Sequence, residues 1–321
     1  MGSGTQIKKT AVVLFNLGGP LSQEDVEPFL FSLFSDPAII TLPNPFRSTL
    51  AYLITRKRLK EVRHIYAQLG GGSPLLKNTN DQAAALEAEL GSGYKVFVGM
   101  RHAAPFIKNV FQKVKDYDPD EIVLLPLYPQ YSTTTTESAL KEWKQASGCR
   151  SAPTRFIHSY PTQKGFIEGM AGLTLPPYEK AKKLGNPRVL LTAHGLPEKM
   201  IKKGDPYQDQ VEQTAQRLIE KLGISPEETV LCYQSRVGPL KWIGPSTEEE
   251  ILKASRENRP LVVVPIAFVS EHSETLVELD ITYRDLALGN GCPAYYRVET
   301  VQTHPAFIKG LGDLVRGEER R

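Results

Sequence analysis

Short apolar runs alternate with longer helical patterns along the chain. Six runs rich in β-branched residues predict strands, at 11–15, 95–99, 122–125, 188–192, 229–232 and 261–264. Segments with helical spacing lie between them, at 80–90, 105–116, 207–222 and 247–257. Strands that are apolar on both faces and interleaved with helices are typical of parallel sheets covered on both sides. The pattern therefore predicts an α/β fold.

The two halves of the chain share weak sequence similarity. Residues 13–20 are similar to 190–197, and residues 125–137 are similar to 264–275. The repeat predicts two similar lobes that face one another across a cleft. The predicted ranges are 1–155 for the first lobe, 156–305 for the second and 306–321 for a C-terminal helix that packs back on the first lobe.

Composition is typical of a soluble globular protein and excludes several classes. There is no apolar run of 18 residues, so no membrane-spanning helix is expected, and residues 1–6 have no apolar signal region. The net charge of +3 is too small for a nucleic-acid-binding protein. Cys149, Cys232 and Cys292 lie far apart. We therefore expect neither disulfides nor a cysteine metal cluster, and a reducing, cytoplasmic compartment.

A basic segment in the first half has apolar residues beside its charges. Residues 41–66 contain six Lys or Arg and one acid, and residues 42–54 include Phe46, Leu50 and Leu53. This pattern predicts an amphipathic lip, at about 40–66, that contacts a membrane or covers a large apolar ligand. The alternative is a helix that packs on its own domain.

The segment after the last predicted strand carries an acidic cluster. Ser270 suits the N-cap of a helix. On that helix Glu271, Glu274 and Glu278 would lie within an arc of about 60°, because successive residues turn by about 100°. With His272 nearby, the carboxylates suit a divalent cation. The alternative is an ordinary solvated acidic face.

His194 follows another predicted strand, where parallel sheets commonly bind ligands. A histidine accepts protons near neutral pH and binds metals. Together with Glu274 it predicts mixed nitrogen and oxygen ligation, suited to ferrous iron, zinc or cobalt. The alternative is a structural histidine bonded to a backbone carbonyl. The glycine-rich segments 16–20 and 70–74 lack nucleotide-binding patterns, so nucleotide binding is not expected.

Eight short motifs, taken in order, resemble the ferrochelatase family from about residue 10 to 310. No single motif is decisive, but the ordered set is very specific. The motifs are 16–20 (NLGGP), 70–74 (GGGSP), 128–132 (YPQYS), 194–197 (HGLP), 204–207 (GDPY), 234–239 (QSRVGP), 242–245 (WIGP) and 265–280 (PIAFVSEHSETLVELD).

The resemblance implies an enzyme that inserts its substrate, ferrous iron, into a porphyrin held between two Rossmann-like lobes. His194 and Glu274 would be the essential pair, acting while the enzyme bends the macrocycle. His194 would accept pyrrole protons, bind the metal, or do both, and Glu274 would help to deliver the iron or relay protons. Glu271 and Glu278 would extend an acidic metal path outward. The residues that would line the porphyrin pocket are Asn16, Leu17, Arg101, Tyr128, Phe268 and His272.

Protoporphyrin is the expected substrate, because the lip at 42–54 is hydrophobic and a more carboxylated tetrapyrrole would need more cations. The lip would also contact the inner face of a membrane peripherally. The alternatives are a chelatase for coproporphyrin III with iron or sirohydrochlorin with cobalt, and a non-catalytic tetrapyrrole or metal carrier. No permanently bound cofactor is expected. Residues 314–321 contain no cysteine, so the [2Fe–2S] cluster of some family members is not expected either.

Overall fold

A computed structural model describes residues 8–148, 152–236, 238 and 240–318 of the chain. The predictions for residues 1–6 and for Cys149 lie outside the described residues. The chain divides into two compact units. The first comprises the described residues of Met1–Tyr128, Thr133–Ser159 and Ile308–Arg321, and the second comprises those of Pro129–Ser132 and Tyr160–Phe307.

Each unit contains a four-stranded parallel sheet. The strands of the first are β1 Thr10–Asn16, β2 Tyr94–Met100, β3 Glu121–Pro126 and β4 Thr154–Phe156. The strands of the second are β5 Arg188–His194, β6 Thr229–Gln234, β7 Leu261–Pro265 and β8 Tyr295–Arg297. The strand orders, β2-β1-β3-β4 and β6-β5-β7-β8, are equivalent, and all six pairings are parallel. The predicted α/β fold with parallel sheets is confirmed.

Helices cover these sheets. In the first unit they are α1 Val26–Phe34, α2 Phe46–Ala67, α3 Leu75–Leu90, α4 Ile107–Tyr117 and α5 Thr136–Ser147. In the second unit they are α6 Lys164–Lys182, α7 Glu198–Ile201, α8 Tyr207–Leu222, α9 Thr247–Arg256, a π-helix at Glu274–Thr282 and α10 Tyr283–Gly289. The last helix is α11 Pro305–Arg316, which is grouped with the first unit from Ile308 onward. None of the helices in the described part of the chain has the length and apolarity to cross a bilayer.

One inner strand of each sheet is buried because helices pack on it: β1 at all seven residues, and β5 at the five residues between Arg188 and His194. In the first unit, Phe15 of β1 packs with Trp143 of α5, their ring centroids 6.0 Å apart. In the second unit, Leu190 of β5 belongs to a core cluster with Leu279 of the π-helix and Tyr283 of α10. The π-helix is therefore anchored to the sheet on its apolar side.

Helix α2 contains most of the predicted lip, and its two halves differ in their packing. Its C-terminal half packs on α1 through Val62 and Tyr66, in a small core of its own. Its N-terminal half exposes Phe46, Tyr52 and Leu53, which are 67%, 53% and 57% accessible to solvent. The helix is thus fixed to its unit at one end and presents apolar side chains to solvent at the other.

Candidate active site

The carboxyl ends of three neighbouring strands meet in the second unit. His194 is the last residue of β5, Gln234 is the last residue of β6, and β7 leads toward the π-helix. Because β5 lies between β6 and β7, these ends lie side by side. Nδ1 of His194 is 2.8 Å from Oε2 of Glu274, the first residue of the π-helix. The structure thus brings together the histidine and the glutamate selected from the sequence.

His194 and Glu274 form a partly buried ion pair, with side chains 38% and 29% exposed. Burial on its own would lower the pKa of His194, but the charge and hydrogen bond of Glu274, with the charge of Glu278, raise it. Burial on its own would raise the pKa of Glu274, but the charge and hydrogen bond of His194 lower it to about 2. Each partner favours the charged form of the other.

This pairing determines which ring nitrogen of His194 has a lone pair available for a proton or a metal ion. Nδ1 faces a carboxylate acceptor, so neutral His194 carries its proton on Nδ1 and its lone pair on Nε2. A carboxylate that orients an imidazole in this way is a common partner of metal-binding histidines. Nε2 is therefore suited to take up a proton or bind a cation.

Glu278, one of the two predicted path residues, is held by four donors. Its Oε1 accepts from the Ser235 amide at 2.9 Å and the Tyr283 hydroxyl at 3.0 Å. Its Oε2 accepts from the Ser235 hydroxyl at 2.5 Å and Nε2 of Gln234 at 3.1 Å. A carboxylate has about four lone-pair sites, and these donors fill them. Burial, followed by the charge of Glu274, raises the pKa of Glu278.

Glu271, the other predicted path residue, lies in a different environment. It is 7% exposed, forms an ion pair with Arg297 at 2.6 Å and accepts from the Thr300 amide at 2.9 Å. Glu274 and Glu278 share the Ser235 hydroxyl, which is 3.4 Å from Oε2 of Glu274 and 2.5 Å from Oε2 of Glu278, whereas Glu271 lies before the π-helix and contacts Arg297 and Thr300. The three carboxylates therefore do not form one acidic helix face. The metal path through Glu271 and Glu278 stays a prediction.

The expected helix start at Ser270 is wrong. The helical segment begins at Glu274, with Ser273 as its N-cap residue, and it has π rather than α geometry. The backbone before it is held by other partners, because the Val269 carbonyl accepts from the Gln302 amide at 3.0 Å and Glu271 is bound as described above. Tertiary contacts thus override the capping preference of Ser270.

His272 and Phe268, two of the predicted porphyrin contacts, lie together before the π-helix. Their rings meet edge to face with centroids 4.6 Å apart, and both side chains are partly exposed. Burial lowers the pKa of His272, against opposing charges of Glu274 and Glu271. Neutral His272 and Phe268 therefore provide a weakly polar aromatic surface beside Glu274.

The predicted contacts of the first half lie at the corresponding strand ends of the first unit. Asn16 ends β1, and its carbonyl accepts from the Arg101 amide at 2.9 Å, just after β2. Leu17 follows and accepts from the His102 amide, also at 2.9 Å. Tyr128 comes shortly after β3, which is the other neighbour of β1. The structure therefore brings Asn16, Leu17 and Arg101 together, and places Tyr128 after the adjoining strand.

Arg101 is engaged within its own unit at every nitrogen of its guanidinium. Nε donates to the Ser138 hydroxyl at 2.7 Å, and the terminal nitrogens pair with Asp36 at 2.8 Å and Glu142 at 2.9 Å. Burial raises the pKa of Glu142, against the opposing charge of Arg101. Two carboxylates thus balance the charge of Arg101, which is not an unpaired cation awaiting a substrate carboxylate.

Sequence reasoning missed three residues that shape these sites. Ser235 lies in the QSRVGP motif, whose family resemblance was the only signal for it; Asp36 and Arg297 had none. In residues 8–148, 152–236, 238 and 240–318, no three acidic, histidine or cysteine side chains converge as a metal cluster would require.

Comparison with known proteins identifies the family. A model of the ferrochelatase family matches residues 9–319. A ferrochelatase from the Wolbachia strain wRi of Drosophila simulans is 51% identical over 313 residues, which cover 95% of this chain and 98% of that protein. Ferrochelatases of Pelagibacter ubique and Caulobacter vibrioides are 50% and 51% identical, and the matches cover 96% of this chain and 90% of each relative.

Solved structures agree on the fold. SirB from Bacillus subtilis with Fe3+ is 15% identical with a TM-score of 0.53, over 96% of this chain and 94% of SirB. CbiX, described as the terminal enzyme for biosynthesis of siroheme in denitrifying bacteria, is 14% identical with a TM-score of 0.51, over 98% of this chain and 100% of CbiX. At these identities the likeness establishes the fold alone. From the family match and the relatives that share half of its residues, the chain belongs to the ferrochelatase family, lyases that insert ferrous iron into a porphyrin in heme biosynthesis.

Proposed function

We propose that this enzyme inserts ferrous iron into protoporphyrin IX, with His194 and Glu274 as its catalytic pair. The observation that supports the pair is the 2.8 Å contact between Nδ1 of His194 and the Glu274 carboxylate, at the carboxyl end of β5. Both side chains are partly exposed, so a substrate can reach them. The sequence placed these residues 80 positions apart, and the fold makes them neighbours.

His194 acts as base in this proposal. Insertion replaces two pyrrole protons by one divalent cation, so the site must remove protons near neutral pH. Nε2 of neutral His194 accepts the first pyrrole proton, and the Glu274 carboxylate at Nδ1 stabilises the imidazolium that results. The imidazolium then passes this proton to water, so that Nε2 is free to accept the second. The same nitrogen lone pair can bind the metal before it passes to the macrocycle.

Glu274 has a second role as an oxygen ligand of the incoming iron. Its pKa of about 2 keeps it ionised at physiological pH, as a cation ligand must be. A pair of one imidazole and one carboxylate leaves most coordination positions to water or to pyrrole nitrogens. Such a site suits a metal that is handed on as substrate.

In the family's mechanism the enzyme bends the macrocycle. Part of the free energy of porphyrin binding would be used for this distortion, which exposes the pyrrole nitrogens to the metal.

The porphyrin contacts remain predictions for Asn16, Leu17, Arg101, Tyr128, Phe268 and His272. For Arg101 the proposal is a polar or packing contact, because its guanidinium is already paired with Asp36 and Glu142. Phe268 and His272 are suited to contact an aromatic ring, since their own rings are partly exposed.

A metal-insertion assay tests the proposal. Purified protein is mixed anaerobically with ferrous iron and either protoporphyrin IX or coproporphyrin III, and metalloporphyrin formation is followed by absorbance. We expect protoporphyrin to be metallated faster, and His194→Ala to lose about 100-fold or more in rate. His158→Ala is the matched control, an exposed histidine whose ring meets that of Phe156 edge to face. Faster metallation of coproporphyrin III would show that the proposed substrate is wrong. Porphyrin binding without metal insertion would favour the alternative of a non-catalytic tetrapyrrole carrier.

We also propose that the exposed half of α2 contacts an anionic membrane surface. Phe46 and Leu53 provide the apolar contact, and Arg56 and Lys57 on the same helix provide positive charge. Co-sedimentation should show binding to vesicles that contain phosphatidylserine, weaker binding to phosphatidylcholine vesicles, and loss of binding in Phe46→Ser with Leu53→Ser. The control is Leu184→Ser, which removes an exposed leucine of the second unit. Equal sedimentation of all variants would contradict the proposal.

A further inference from the structure

Arg297 connects the two ends of the segment that carries the catalytic glutamate. It is the last residue of β8, the edge strand of the second sheet, and its side chain is 7% exposed. Its Nη1 pairs with Glu271 at 2.6 Å. Its Nε and Nη2 pair with Oδ2 of Asp280 at 3.0 and 2.5 Å. One buried guanidinium thus binds carboxylates on both sides of Glu274, at positions nine residues apart.

The π-helix between those carboxylates depends on donors from outside itself. Regular π-helices are rare and usually occur as single-turn bulges, whereas this one spans nine residues. The Leu279 carbonyl accepts from the Tyr295 hydroxyl of β8 at 2.7 Å, and the Asp280 carbonyl accepts from Nε of Arg284 at 2.9 Å. An unusual backbone conformation persists when surrounding contacts over-determine it, and strand β8 supplies several of them.

We propose that Arg297 is a positioning residue for metal insertion, which fixes Glu274 against His194 by clamping Glu271 and Asp280. This inference rests on the proposed role of the His194–Glu274 pair. Arg297 itself bonds to neither member of the pair in the contacts described above, and acts through the backbone that it holds. Displacement of a reacting group by about 1 Å can cost about 100-fold in rate, so a modest relaxation of this segment reduces insertion.

Lysine and methionine substitutions separate positioning from simple stability. Arg297→Met removes the charge and both ion pairs, and Arg297→Lys keeps one charge but cannot bridge two carboxylates with a planar fork. The matched control is Arg188→Met, which removes another largely buried arginine of the same sheet. Arg188 is 13% exposed, pairs with Glu257 at 3.3 Å and lies at the opposite end of β5 from His194.

The assay is zinc or ferrous-iron insertion into protoporphyrin, with kcat, KM for the metal, porphyrin affinity by fluorescence quenching, and Tm measured for each variant. We expect Arg297→Met to lower kcat by about 10-fold or more with porphyrin affinity within about 2-fold of wild type, and Arg297→Lys to recover part of the loss. Arg188→Met should lower Tm and leave kcat unchanged. Similar Tm losses in the two methionine variants with unchanged kcat in both would overturn the proposal.

Two further variants keep the result interpretable. If Arg297→Met does not fold, Asp280→Asn weakens one end of the clamp, and it should lower kcat while porphyrin affinity is kept. Unchanged kcat in folded Asp280→Asn would then overturn the clamp. His194→Ala is measured in parallel: full activity there refutes the catalytic pair and the clamp with it. Loss of activity in His194→Ala with normal kcat in Arg297→Met refutes the clamp alone.

Discussion

Ser235 offers a direct test of the hydrogen bonds that connect the end of strand β6 to Glu278 of the π-helix. It has a φ of +61°, in the left-handed region, immediately after Gln234. This conformation accompanies the contacts of its amide and its hydroxyl with the two oxygens of Glu278, at 2.9 and 2.5 Å. Replacement by alanine removes the hydroxyl bond and keeps the strained backbone. Replacement by glycine removes the bond and the strain together.

The hydrogen bond and the backbone strain together determine how much each variant changes the free energy of unfolding. A hydrogen bond to a charged group contributes about 1.5–3 kcal/mol, and Ser235→Ala should lose about that much. The left-handed conformation costs a residue with a Cβ roughly 1–2 kcal/mol. Glycine relieves that strain but loses about 0.5–1 kcal/mol more entropy on folding. Ser235→Gly should therefore be more stable than Ser235→Ala by up to about 1.5 kcal/mol, with a central value of about 0.75 kcal/mol.

Urea unfolding followed by circular dichroism measures both differences. Asn258 calibrates the strain, because it is an exposed residue with a φ of +52°. The difference in unfolding free energy between Asn258→Ala and Asn258→Gly therefore measures the strain of a Cβ at a left-handed position away from Glu278. If Asn258→Gly is more stable than Asn258→Ala while Ser235→Gly and Ser235→Ala unfold together, the strain assigned to Ser235 is wrong. Wild-type stability in Ser235→Ala would refute the contribution of its hydroxyl bond.

Three further predictions concern pH and packing. Glu274→Gln removes the charge that raises the pKa of His194, so the acidic limb of kcat/KM should move to lower pH; an unmoved limb would contradict the pairing. The pair's stabilisation is lost as pH falls from 4.5 toward about 2, where Glu274 is protonated, and as pH rises through the raised pKa of His194. Unfolding of wild type and Glu274→Gln should therefore differ most between about pH 4.5 and 6.5, and a constant difference across pH would refute this linkage. Gly165→Ala should lower the free energy of unfolding in urea by about 1–3 kcal/mol, because the added Cβ would overlap the Ala306 carbonyl. The control is Gly289→Ala, whose Cβ would lie in open space and should not destabilise the protein. Equal effects of the two substitutions would contradict the packing argument.

Central strands and amphipathic helices could be predicted from the sequence, because their burial determines their composition. The predicted strand 188–192 lies within β5, and the predicted helix 207–222 coincides with α8. The edge strand β8 was missed, since it has only three residues and contains an arginine. Helix α6 was missed too, because Pro176 and Pro177 normally signal a helix end. Burial of Tyr178 and Ala181 beyond these prolines outweighs their cost.

Site residues at the end of a single buried strand could be predicted from the sequence. Residues whose conformation depends on contacts with a distant element could not. His194 lies at the end of β5 because residues 189–193 before it are buried and, except for Thr192, apolar. The π-helix could not be predicted, because a period of 3.6 residues was assumed and the donors Tyr295 and Arg297 come from the unpredicted strand β8. For the same reason Glu271 was assigned to an acidic face, although its carboxylate is bound to Arg297.

The most direct test of the central claim is single-turnover metallation of protoporphyrin by wild type, His194→Ala and Glu274→Gln, with porphyrin affinity measured on the same samples. The catalytic pair predicts that both variants bind porphyrin with affinity close to wild type and lose about 100-fold or more in insertion rate. Insertion at the wild-type rate by His194→Ala would show that the base lies elsewhere.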